Sequence, residues 1–412
     1  MPLSDANLVG NFDAAWVNEA AADYTARSNG FPAETFANRN EVVMYMENAH
    51  EANFDMWLAT GVESYMETAL TLIENMIGWA QASNSWSPVV FNDSYLSWQY
   101  PTSESDSTPT QYVLHEGRGF RVVAKIIAGF EIFPAWQAIS DWGARYTAIK
   151  DFYIGHVWDK WWSRGVNGNF GRVNVWMTSH HARAGMWLNK VFPNANYQLI
   201  ADAFFLDMTQ LGRTSSYLKG LVHYGSHNGF NIPGTWGNTG STSDHQHIDH
   251  VITLHIEAFK LGLYSNTGLT GVDHPNIDAE SIQRWLNTLF WLATEKGAHT
   301  DWRDEFTGKL NGTTAALFSV GDSRPNIEMG FLKLLEFHTD QEDAENRALV
   351  KTGQFKRLSA NWACLTYTKF AREGRLAYDI FNPFQNPTLP TLPPVGDASK
   401  IAQKNNNLKR RR

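Results

Sequence analysis

Apolar positions recur at three- and four-residue steps along most of the chain, the spacing of one buried helical face. Residues 62–80 show it most fully: Val62, Tyr65, Met66, Ala69, Ile73, Met76 and Ile77 fall on one stripe. The same periodicity predicts helices near 41–58, 119–140, 144–163, 175–192, 197–212, 247–262, 278–296, 326–338 and 358–373. Strand signals are sparse: Val89–Phe91 and the alternation at 363–368 are the candidates. Self-similarity at a fixed period, the mark of a regular solenoid, is lacking. No Gly/Ser- or Pro-rich linker divides residues 1–382, whereas PFQNPTLPTLPPVGD at 383–397 and the terminal KNNNLKRRR read as an extended tail. Helix after helix joined by Gly- and Pro-bearing loops predicts an all-α fold. The expected architecture is a single (α/α) barrel, a toroid of helical hairpins over 1–382, with a Pro-rich and then basic tail over 383–412.

Composition narrows the function. Apolar residues make up 43% of the 412, enough for a large core, and charged residues only 18%. Formal charge is −8, which disfavours a sequence-independent nucleic-acid binder, since that task needs a basic surface. The one cysteine, Cys364, excludes an intrachain disulfide framework and a cysteine-based zinc site. No run approaches the length of a membrane span, and the first residues lack the charged and apolar regions of a leader. The expectation is a secreted or periplasmic protein whose leader has been removed, with the cytoplasm as the alternative. Oligomeric state is left open.

Candidate chemistry concentrates in a few segments. Residues 213–250 carry His223, Tyr224, His227, Asn228, Trp236, His245, His247 and His250 within a Gly-rich stretch, and a loop so long, polar and aromatic suits a functional site. Residues 172–187 place the adjacent pair His180 and His181 near Arg172, Asn174 and Trp176. On a helix such neighbours face different sides, so one can reach a cleft while the other packs. In HEGRGFR, 115–121, Gly117 and Gly119 permit close backbone approach beside Glu116, Arg118 and Arg121.

The run His245-Gln-His247-Ile-Asp249-His250 matches the HxHxDH metal motif of metallo-β-lactamase-like hydrolases. There it closes a strand; here it leads into an amphipathic helix, so a metal-dependent hydrolase is an alternative rather than the expectation. A structural metal at His245/His247/His250 is the one cofactor these residues suggest. The expected reaction needs none. Dinucleotide, Walker, serine-elbow and HExxH signatures are missing.

Many Trp and Tyr with scattered Arg, His and Asn suit a sugar polymer. Aromatic rings stack on sugar faces, and uronate carboxylates call for Arg, Lys or His. Trp98, Trp142, Trp162, Trp176, Trp236 and Trp302 are the candidate platforms, although most tryptophans are expected to fill gaps between helices. Uronate polymers can be cut by β-elimination, in which the carboxylate is neutralised, a base removes the C5 proton and an acid protonates the leaving oxygen.

TSHHARAGMW at 178–187 and LVHYGSHNGF at 221–230 together resemble helical-toroid polysaccharide lyases, alginate lyases of family 5 and glucuronan lyases among them. The resemblance implies His180 and Tyr224 as the acid–base residues. Ser179 stands where that family carries a neutralising Asn, so Asn228, His227 or Arg118 is expected to take that role. The implied catalytic set is Tyr224, His180, Asn228 and Arg118. The implied substrate-binding set is Glu116, Arg172, Trp176, His181, His227, Trp236, His245 and His247, with an acidic polysaccharide as partner. A glycoside hydrolase on the same scaffold is the further alternative. It would draw a carboxylate pair from Glu116, Asp244, Asp249 and Asp301.

Overall fold

The computed structural model describes residues 4–19, 24–29, 40–103, 106–172, 174–213, 220–224, 227–231, 245–266, 276–287, 332–337 and 358–383. The chain is predominantly helical. Among the described residues the helices are α1 (Asp5–Glu19), α2 (Thr25–Ser28), α3 (Asn40–Thr60), α4 (Glu63–Gly78), α5 (Val113–Ile132), α6 (Trp142–Phe152), α7 (Asp159–Ser163), α8 (Val166–Asn169), α9 (Val175–Val191), α10 (Ala195–Phe205), α11 (His245–Lys260), α12 (Ala279–Asn287) and α13 (Leu358–Arg372). A π-helical turn, Tyr153–Trp158, joins α6 to α7, so the expected helix at 144–163 is one nearly continuous run. No helix among the described residues is long and apolar enough to cross a membrane.

The central helix is α5, whose residues from Val113 to Phe130 are buried on every side. It lies between α3 and α9. Outside these, α3 packs on α4 and α13, α13 on α1, and α9 on α10 and α11. The buried apolar side chains form one connected cluster. Part of it is an aromatic knot in which Trp57 meets Trp136, Trp142 and Tyr378 at ring separations of 5.5, 5.4 and 4.6 Å.

Three antiparallel strand pairs complete the described structure: β1 (Gln81–Ala82) with β2 (Leu96–Ser97), β3 (Tyr100–Ser103) with β4 (Asp106–Thr110), and β5 (Gly220–Tyr224) with β6 (His227–Asn231). Both expected strands are corrected. Val89–Phe91 is irregular, and 363–368 lies inside α13, where burial on nearly all sides disguises helical periodicity as alternation. The amphipathic α1 was not anticipated, and α5 begins before the expected 119, so that HEGRGFR forms its first turns. It ends at Ile132 because Pro134, which cannot donate a backbone hydrogen bond, opens a 3-10 turn. The tail from 384 onward lies outside the described residues.

Glycine explains how tightly α5 is held. A Cβ on Gly119 would meet Val43 Cγ1 at 2.9 Å and the Val43 backbone oxygen closer still. A Cβ on Gly117 would sit 2.7 Å from His181 Nε2. These positions therefore bring α5 against α3 on one side and α9 on the other. Gly119→Ala should cost about 1–3 kcal/mol or more, because the obstacle is backbone rather than a movable side chain. Gly155→Ala, with nothing within 4 Å of the added carbon, should stay within about 0.5 kcal/mol of wild type. Urea denaturation of the two variants checks this; equal stabilities would contradict the close packing of α3 on α5.

Candidate functional site

Helix period places charged residues and imidazoles in register on the facing sides of the central helices. On α3 they are Glu47, Glu51 and Asp55; on α5, Arg118, Arg121 and Lys125; on α9, His180 and Arg183; on α11, His250 and Glu257. All are buried. Buried charge is tolerated only when paired, and these side chains pair across helices.

At one end of the network Arg183 bridges two carboxylates. Its Nη2 lies 2.7 Å from Glu51 Oε1 and 2.6 Å from Glu257 Oε1. Trp187 Nε1 donates to Glu257 Oε2 at 2.7 Å. Lys125 reaches Glu257 Oε1 at 3.0 Å, and Lys333 contacts both Glu51 and, at 3.4 Å, Asp55. Burial pushes the Glu51 carboxyl up, but Arg183, Lys333 and Arg121 outweigh it and hold the group well below the usual carboxylate range. Glu257 is likewise held down, with burial opposed by Arg183 and Lys125. Glu51, Asp55 and Glu257 are thus matched by Lys125, Arg183 and Lys333.

The other end is different. Arg118 and Arg121 share Glu47, Arg118 through Nε to Oε1 and Arg121 through Nε to Oε2 at 3.0 Å. Arg121 Nη1 also lies 3.4 Å from His180 Nδ1 and in short contact with His250 Nδ1. The two imidazoles are 4.5 Å apart between centroids, and Trp176 flanks them at 5.8 and 6.1 Å. Burial, reinforced by the charges of Arg121 and Arg118, pushes the His180 pKa far below its ordinary value, so the ring is neutral. His180 Nε2 is buried without a hydrogen-bond partner among the described residues. Such an orphaned group is uncommon in a folded core. Glu47, His180 and His250 each offer a potential metal-ligating atom within 4.8 Å of the others.

Of the expected site residues, the structure brings together His180, Arg118 and Trp176. His181 does not join them; as the adjacent-pair argument anticipated, it turns to the opposite contact, against Gly117 and 4.8 Å from the Phe170 ring. Burial, with Arg172 nearby, lowers its pKa to about 3. Glu116 binds Lys160 Nζ and Trp161 Nε1, each at 2.7 Å, so its carboxylate is already engaged. Arg172 Nη2 donates to the Tyr112 hydroxyl at 2.8 Å. In the backbone register of the β5–β6 hairpin, Tyr224 pairs with His227 and His223 with Asn228. His245 and His247 lie in the first turn of α11, likewise by backbone.

Trp236, Trp302, Asp244 and Asp301 lie outside the described residues. Asp249 is buried, and the HxHxDH segment is helical. Trp98 and Trp142 are core residues rather than platforms, with their indole N–H groups donating to the Met76 carbonyl and to Glu67. Glu47, Glu51, Asp55, Arg183 and Glu257 were missed. The four-residue spacing of Glu47, Glu51 and Asp55 is visible in the sequence, but the same spacing ordinarily marks a solvated helical face.

No protein-family model matches the chain, and neither comparison with curated proteins nor comparison with solved structures finds a match.

The buried imidazoles make stability fall in mild acid. Burial holds His50 down to about 4 and His115, His181 and His255 to about 3. Unfolded histidines take up protons near pH 6.5, so below that value the unfolded chain binds more protons than the folded one. Stability is then full above pH ~6.5 and drops as pH falls, by up to about 1.4 kcal/mol per pH unit for each such histidine. The low-lying carboxyls of Glu51 and Glu257 add their loss only at lower pH, below the ordinary carboxylate range. Urea titrations at a series of pH values should show a plateau above neutrality and a steep fall toward pH 5. A flat profile down to pH 5 would mean that these rings are charged in the fold.

Proposed function

We propose that the chain is a polysaccharide lyase that cuts a uronate-containing polymer, of alginate or glucuronan type, by β-elimination. The carrying observation is the uneven end of the ionic network, where Arg118 and Arg121 share the carboxylate of Glu47 beside the neutral ring of His180. Guanidinium and imidazole N–H groups together suit a carboxylate, which accepts hydrogen bonds and would add negative charge beside the two guanidiniums. The sequential packing of α13, α3, α5, α9 and α11, with polar inner faces, supports the toroid of hairpins on which such a reading rests.

In this reading the substrate carboxylate is neutralised by Arg118 and His180, with Asn228 assisting, which makes the C5 proton acidic. Tyr224 takes that proton as a phenolate. The C5 electron pair forms the C4–C5 double bond as the C4–O bond breaks, and the phenol returns its proton to the leaving oxygen. A phenol with an ordinary pKa of about 10 needs neighbouring cations or donors to act as a base. His223, His227, Lys219 and Arg213 are close in sequence. Trp176 lies against the His180 ring and would wall the subsite. The carboxylate-pair hydrolase is the alternative; of its candidates Glu116 pairs with Lys160, Asp249 is buried, and Asp244 and Asp301 lie outside the described residues.

Incubation with alginate, glucuronan, hyaluronan, chondroitin and pectate should yield the short-wavelength ultraviolet absorbance of an unsaturated uronyl end on one of them. New reducing ends without that absorbance would instead indicate hydrolysis. Tyr224→Phe, which removes only a hydroxyl, should lower turnover roughly a hundredfold or more. His180→Ala should lose a comparable amount. A folded Tyr224→Phe protein with near-normal elimination would move the chemistry to another residue.

A further inference from the structure

Three side chains positioned like metal ligands surround a cation that belongs to the chain itself. Arg121 forms an ion pair with Glu47, Nε lying 3.0 Å from Oε2, and presents Nη1 to the Nδ1 atoms of both His180 and His250. One guanidinium therefore touches every member of the group whose atoms lie within 4.8 Å of one another. A guanidinium only donates, and it does not lose its proton in a protein. Each contact with Nδ1 thus requires a lone pair there, and a neutral ring with a lone pair on Nδ1 carries its proton on Nε2.

This arrangement bears directly on metals. An ion bound to the two Nδ1 atoms would take the place of Arg121 Nη1. An ion bound to the Nε2 atoms would need the opposite tautomer, with an Nδ1–H pointed at a guanidinium N–H. Arg118, on the other oxygen of Glu47, adds a second fixed positive charge. Like charges this close, shielded from water, repel strongly.

We infer that Arg121 is the resident cation of the Glu47/His180/His250 pocket: it fixes both imidazoles as Nε2–H tautomers, excludes divalent metals, and leaves a transition-metal site when its charge is removed. The inference goes beyond the lyase reading and holds whatever the substrate. It makes Arg121 a positioning residue, acting through the histidines.

Co²⁺ is a suitable probe, because its visible absorption reports coordination by nitrogen ligands. Wild-type protein should take up no stoichiometric Co²⁺ at this pocket. Arg121→Met, similar in length but uncharged, should bind one ion with affinity at least about a hundredfold above wild type, the scale of removing one buried like charge. Arg121→Lys keeps a cation and should stay closed, and adding His250→Ala to Arg121→Met should abolish uptake. A folded Arg121→Met protein that binds no Co²⁺ overturns the inference. If that variant does not fold, the wild-type protein decides: ¹⁵N resonances of His180 and His250 should show protonated Nε2 and bare Nδ1. An Nδ1–H tautomer in either ring, or Co²⁺ bound by wild type and lost in His250→Ala, overturns it. None of these readouts depends on catalysis, so failure of the lyase assay and failure of this inference remain separable.

Discussion

Charge buried among helices must be paired, and that requirement links α3, α5, α9 and α11 more specifically than apolar packing could. Apolar faces tolerate small shifts of register. The Arg183 fork does not, because it engages Glu51 on α3 and Glu257 on α11 at once, at 2.7 and 2.6 Å. A slip of one turn in either helix would strand a carboxylate in the core, at a cost of about 3–5 kcal/mol. The same pairs need not add net stability over an apolar core of equal volume. Their effect here is to select one arrangement of helices, which the close approach of α5 at Gly117 and Gly119 then makes tight.

Most of the fold was legible because apolar side chains recur at helical spacing even in helices with little wet surface. The segments at 41–58, 62–80, 175–192 and 247–262 lie within a few residues of α3, α4, α9 and α11. Ends and local pattern were less legible: the start of α5 was misplaced where polar residues face inward as well as apolar ones, and 363–368 resembled a strand although the helix expected at 358–373 matches α13. The tryptophans divided as packing predicts for large rings, with Trp57, Trp98, Trp136 and Trp142 sealed in the core.

The site was legible in part for a related reason. His180, Arg118 and Trp176 stood out because histidine doublets and Gly-flanked charges are unusual in a helical sequence. Glu47, Glu51 and Glu257 did not, because charges spaced for a solvent-facing helix carry no sign of burial until their partners are placed. Arg121 stands between these cases: it was visible in HEGRGFR as a charge, but its engagement of residues 59 and 129 positions further along the chain is a property of the fold.

Asymmetry along the network explains how one scaffold can combine rigidity with a reactive end. Where Glu51, Asp55 and Glu257 meet Lys125, Arg183 and Lys333, each charge has a partner and little remains to attract a ligand. Where Arg118 and Arg121 share Glu47, Arg121 reaches two imidazoles and, at 3.4 Å, Glu51 Oε2. Replacing those imidazoles by carboxylates would complete the ion pairs and extinguish the field. Replacing them by lysines would put unpaired charge into a site that already repels it. Neutral histidine satisfies the guanidinium through one nitrogen and leaves an N–H on the other, so positive potential and hydrogen-bonding capacity persist together. In the proposed reading that combination would suit an anion, and it requires that His180 stay neutral, which burial beside two permanent cations favours.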